Sequence, residues 1–88
     1  MKGRGKIMKQ VRLEKVKVEE YELVIELLSQ NDNYNFVSRL IHNGEIVDEN
    51  KTYAITDDLK LADHIFDELI QNEVFPAHLH NIIDQIIA

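Results

Sequence analysis

The sequence predicts an α+β domain: an antiparallel meander of three to five strands followed by two C-terminal helices packed on one face. Three observations carry this prediction. Tyr21, Leu23, Ile25 and Leu27 alternate with polar or smaller apolar residues, which is the period of a strand with one buried face. Asn43-Gly44 accepts the positive φ angles of a two-residue hairpin. Leu59, Ala62, Ile65, Phe66, Leu69 and Ile70 recur at spacings of three and four, the period of a helix with one apolar stripe.

In chain order, residues 1–7 are expected to be a flexible basic tail, and residues 8–88 a single domain. From about Met8 to Val18 apolar and charged residues alternate, with Val11 and Leu13 on one parity and Val16 and Val18 on the other. That change of parity predicts a bulge or bend near Glu14-Lys15. Glu19-Glu20 marks a turn, and Tyr21–Leu28 the central strand. Ser29–Asn33 is polar and rich in turn formers, so it predicts a hairpin loop. Tyr34–His42 follows as a third strand and Glu45–Asp48 as a short fourth. Glu49-Asn50-Lys51 reads as a turn, and Thr52–Ile55 as a fifth short strand or an extended approach to the first helix.

Thr56 is the expected N-cap of that helix, with Asp57 and Asp58 where the helix dipole favours negative charge. Asn72 is the expected exit. Pro76 suits the first turn of a second helix, because its missing amide needs no partner there. Leu79, Ile82, Ile83, Ile86 and Ile87 mark the second stripe.

Composition narrows the class. The chain has 88 residues, no cysteine, one proline and 44% hydrophobic residues, which suffices for one domain and one modest core. So small a domain buries a limited share of its surface and has no disulfide to compensate, so a homodimer is expected. No apolar run approaches the length of a membrane span, and no apolar stretch follows the N-terminal charges as in a signal peptide, so a cytoplasmic protein with no membrane partner is expected.

Net charge is −6, unevenly spread. Residues 1–17 hold seven basic residues against one acid, Glu14, which leaves three basic and fifteen acidic residues beyond them. Lys2, Arg4, Lys6, Lys9 and Arg12 therefore form a candidate polyanion-binding arm, since clustered cations displace counterions from phosphates. The acidic remainder would repel a polyanion, so nucleic acid is the alternative reading and not the leading one.

The stretch Asn72-Glu73-Val74-Phe75-Pro76-Ala77-His78-Leu79 running into Asn81-Ile82-Ile83-Asp84, together with Tyr21–Leu27, Tyr34–Ile41 and the acidic helix, resembles a small uncharacterised family of clostridial and related Firmicute proteins, a domain of unknown function. Asn72, Val74, Pro76, Leu79, Ile83 and Asp84 match that family's pattern, and Phe75 departs from it where a small hydroxyl residue would cap the second helix. The resemblance implies a bacterial, cytosolic protein and transfers no catalytic residues. The basic arm lies outside it.

Chemistry-bearing residues are sparse. His64, His78 and His80 with Asp63 and Asp84 lack the spacing of a metal motif, and exposed histidines on a polar helix face are the expectation, with no metal and no cofactor. Asp57, Asp58, Asp63, Asp67, Glu68 and Glu73 read as the solvated face of an amphipathic helix. Tyr21, Tyr34, Phe36 and Tyr53 read as sheet core before they read as a stacking platform. No catalytic constellation or nucleotide fingerprint occurs, so no catalytic residue is assigned and no enzyme is expected. Ile82, Ile83, Ile86 and Ile87 span a wide arc and form a candidate partner interface beside their role in packing. The expected function is a noncatalytic protein–protein interaction or regulatory module acting through its C-terminal helices, as a homodimer or with an unidentified protein partner.

Overall fold

A computed structural model of the chain describes residues 8–88. The basic tail expected over residues 1–7 lies outside the described residues. Four antiparallel strands, β1 (Lys9–Val18), β2 (Tyr21–Gln30), β3 (Asn33–His42) and β4 (Glu45–Lys51), form one sheet in sequence order. Helix α1 (Leu59–Gln71), a 3₁₀ turn (Pro76–His78) and helix α2 (Leu79–Ile87) complete the α+β fold.

Each hairpin has a two-residue connection. Asn43 and Gly44 take φ of 53° and 79°, the conformation their chemistry predicts. Asn31 and Asp32 do the same at 53° and 65°, so the loop expected over Ser29–Asn33 contracts to two residues and its flanks join the ladder. Glu19 reaches φ 58° in the first hairpin.

Two features differ from expectation. The β1 bulge sits at Val11, between Gln10 and Arg12, and not near Glu14-Lys15. The parity change at Glu14 needs no bulge, because Val16 packs against the core while Leu13, opposite Glu26, lies on the other face. Strand β4 runs through Glu49, Asn50 and Lys51, which pair with Arg39, Ser38 and Val37, and a second bulge falls between the Ile46 and Asp48 pairings. Thr52–Ile55 is the extended approach, closed by an isolated bridge between Tyr34 and Thr56.

The N-cap of α1 is Asp58, whose carboxylate accepts from Lys60 N at 2.9 Å; the Thr56 hydroxyl accepts from Asp58 N at 3.1 Å. At the other end Glu73 N donates to Ile70 O and Val74 N to Leu69 O, both at 3.1 Å. This is a Schellman closure, with Glu73 at φ 48° in the position that favours glycine.

Both helices pack on one face of the sheet. Leu23, Ile25, Leu27 and Phe36 meet Ala62, Ile65, Phe66 and Leu69 of α1, and Val74, Leu79 and Ile83 fill the elbow and α2. The elbow is bonded to the sheet: the buried Ser38 hydroxyl donates to Val74 O at 2.9 Å, and Asn50 Nδ2 to Pro76 O at 3.1 Å. The β1 edge is fastened by Arg12, whose guanidinium lies 4.4 Å from the Phe66 ring centroid and within 3.4 Å and 3.0 Å of Asp63 and Asp67.

Glycine relieves the left-handed strain at position 73 without touching a side-chain contact. Glu73→Gly is expected to raise the unfolding free energy by about 0.5–1 kcal/mol, measured by urea denaturation. A loss of stability would show that the Glu73 side chain contributes more than its backbone costs.

Candidate functional site: the uncovered face of the sheet

Pairing registers define what lies on the side away from the helices. One row reads Lys15–Val24–Arg39–Glu49 across the four strands, the next Leu13–Glu26–Val37–Lys51, and a third Lys17–Glu22–Ile41–Ile46. Beyond the second row Leu28 pairs with Asn35. No described helix covers this face. Its centre is nevertheless shielded: Val24 is 4% exposed, Val37 2%, Asn35 2% and Glu26 9%. None of the four belongs to the core cluster under the helices. Met8, Leu28, Arg39, Lys51 and Tyr53 surround Glu26, Asn35 and Val37 on this side.

Arg39 is the electrostatic centre of the face. Its Nη1 donates to Glu26 Oε1 at 3.0 Å and its Nε donates to Glu49 Oε2. Burial works against the charged guanidinium, but the hydrogen bonds and charges of Glu49 and Glu26 outweigh it and hold the Arg39 pKa above its ordinary value. The sign follows: stability from a raised cation pKa is fully present at lower pH and is lost only as pH climbs through that raised value. Arg39 is therefore charged at every physiological pH.

Beside this triad lies a cavity of about 240 Å³ lined by Met8, Leu28, Asn35, Val37, Lys51 and Tyr53 together with Glu26 and Arg39. Asn35 Oδ1 accepts from Ala54 N at 2.6 Å, and Ala54 takes φ 49°, which marks a strained backbone at the rim. The volume is below the usual range for a small-molecule site and suits one inserted side chain. At the far end of the same face Lys17, Glu22, Ile41 and Gly44 line a shallower depression.

The sites expected from sequence fall elsewhere. In the isoleucine stripe Ile83 is 1% exposed and belongs to the core, Ile82 and Ile86 pack against it, and Ile87 is 44% exposed. The stripe is thus turned mostly inward. Of the candidate arm, Lys2, Arg4 and Lys6 lie outside the described residues, Lys9 is exposed on β1, and Arg12 is bound to Glu14, Asp63 and Asp67. His64, His78 and His80 are exposed, and no group of three or more His, Asp or Glu among the described residues is placed to hold a metal ion. Phe36 is core, Tyr34 packs against it, and Tyr53 is 67% exposed on the uncovered side. Glu26, Asn35 and Glu49 escaped the sequence reading. The available signal was the second parity of the central strands, Val24, Leu28, Val37 and Ile41, too apolar for a plainly solvated face.

Two outcomes follow. Arg39→Met leaves the buried Glu26 carboxylate without its cation and is expected to cost about 1–3 kcal/mol by urea denaturation; adding Glu26→Met restores part of the loss. Equal losses in single and double variants would show that the ion pair has no energetic role. Ile83→Asp should abolish the cooperative thermal transition, whereas Ile87→Asp should stay within about 0.5 kcal/mol of the parent. A cooperative Ile83→Asp variant would contradict the burial described above.

In comparison with known proteins, no family model, no curated protein and no solved structure matches this chain.

Proposed function

We propose that this chain is a noncatalytic protein-interaction module whose contact surface is the uncovered face of its sheet. One observation carries the reading. Of the eight large hydrophobic residues that stand exposed among the described residues, Met8, Val11, Leu13, Ile46, Val47 and Tyr53 lie on or beside the two edge strands, around the shielded centre of that face. Exposed apolar groups that ring a charged, ordered centre are what a contact surface needs, and scattered exposed residues would not cluster this way.

The chemistry of the face supports recognition over catalysis. Glu26 and Glu49 are both bound by the Arg39 guanidinium, so the acids of the face are committed to ion pairs within it. The helices support the same placement, since most of the isoleucine stripe is committed to the chain's own core. No helix among the described residues is long and apolar enough to cross a membrane. A phosphate backbone laid along β1 would meet Glu14 and the acidic flank of α1, so nucleic acid fits the surface less well than protein does.

Site-specific photocrosslinking in the native cytosol tests this. A benzoylphenylalanine at Leu13 or at Ile46 is expected to give crosslinked protein products, and one at Lys60 on α1 to give none. Products from Lys60 alone, or from no position, would overturn the reading.

A further inference from the structure

We infer that the occupant of the uncovered face is a second copy of this chain, stacked sheet to sheet about a two-fold axis that runs parallel to the strands. The inference rests on the reading of that face as a contact surface and names its partner.

Charge is the first argument. The three rows of the face carry four cations, Lys15, Lys17, Arg39 and Lys51, against three anions, Glu22, Glu26 and Glu49. The whole chain carries ten basic and sixteen acidic residues, so its acidic excess lies elsewhere. The face itself is close to neutral, so two copies can meet through it without bringing net negative charge together.

The arrangement within the face then selects the axis. Its cations on β1 are Lys15 and Lys17, and the β4 residue in the same row as Lys15 is Glu49. A two-fold parallel to the strands sets β1 over β4 of the other copy, keeps the rows level, and brings Lys15 to the partner's Glu49 twice, once at each side. With the rows level, Leu13 meets the partner's Lys51 and Lys17 meets the partner's Ile46, pairing lysine stems with apolar groups on either side of the central row. A two-fold across the strands would instead place β1 on β1, with Lys15 and Lys17 against their own copies. Aligned sheets cross at about 30°, which the strand-parallel axis permits.

Area and edges agree. Ten-residue strands at ~3.3 Å per residue and four strands at ~4.8 Å spacing present a face of roughly 600 Å². Two such faces bury about 1,200 Å², at the lower bound of specific interfaces. Edge-to-edge pairing of β1 with β4 would join the same charges, but each edge carries a bulge, at Val11 and at Val47, that interrupts the ladder. Glu26 and Arg39 enter the stack already paired, so the central acid is not trapped without a cation.

Sedimentation equilibrium on the full chain at low salt tests the inference, with thermal melts by circular dichroism as the check on folding. Wild type is expected to be dimeric at 100 µM. Lys15→Glu, at a residue with no intramolecular ion pair among the described residues, is expected to weaken the dimer by about tenfold or more, because it sets two like-charged pairs across the axis. Lys15→Arg, which keeps the cation, should stay within about threefold of wild type. A wild type that is monomeric at 100 µM, a Lys15→Glu variant that associates as wild type does, or a folded Lys15→Arg variant as weak as Lys15→Glu would overturn it. If wild type is monomeric while the probes at Leu13 and Ile46 capture a different protein, the second-copy inference falls and the interaction module stands. If neither dimer nor crosslink forms, both fall.

Discussion

Two hydrogen bonds, from the Ser38 hydroxyl to Val74 O and from Asn50 Nδ2 to Pro76 O, decide which side of this sheet is covered. The elbow between the helices has no side-chain cap of its own, since Phe75 cannot accept from the amides of the 3₁₀ turn. Its carbonyls are bound by the sheet. Leaving a buried acceptor such as Val74 O unpartnered would cost about 1–3 kcal/mol, so both helices are held to the side on which Ser38 and Asn50 lie. With 13 residues in α1 and nine in α2, the helices among the described residues cover one face. The other is left to whatever the strands themselves present.

The uneven charge of the chain has a structural counterpart at Arg12. Residues 1–17 are basic and α1 is acidic, and the bulge at Val11 returns Arg12 to the helix side, where it meets Asp63, Asp67 and the face of Phe66. Asp63 and Asp67 are 45% and 56% exposed, so their ion pairs are screened and contribute modestly. The contact with Phe66 is the part shielded from water, and it fixes α1 against the β1 edge more by geometry than by charge.

The fold was legible wherever local chemistry agrees with the final packing. Tyr21–Leu27 reads as a strand because it is one with a buried face, and Asn43-Gly44 turns because both residues tolerate positive φ. Glu49-Asn50-Lys51 misleads, since its composition resembles a turn while its backbone completes the β3 ladder and Asn50 reaches Pro76. Thr56 looks like the cap because its hydroxyl does bond locally, two residues too early; Asp58 takes the position. The candidate site was the least legible part. Arg39, Glu26 and Glu49 lie 13 and 10 residues apart, and only the registers set by the second and third hairpins bring them together. Nothing in their spacing announces this.

The same registers explain why association through this sheet is directed to its face. Unpaired edge backbone is the usual route by which sheets recruit one another, and each edge here is interrupted by a bulge and lined with charge. The face is ordered with no described helix over it: Arg39 is held by two acids, and Val24 and Val37 are buried. A surface whose rotamers are already fixed loses little conformational entropy on contact, so even a modest buried area can hold a partner. The apolar row of Leu23, Ile25, Leu27 and Phe36 draws the helices to one side, the elbow's hydrogen bonds fasten them there, and the other side is left preorganised by its own ion pairs.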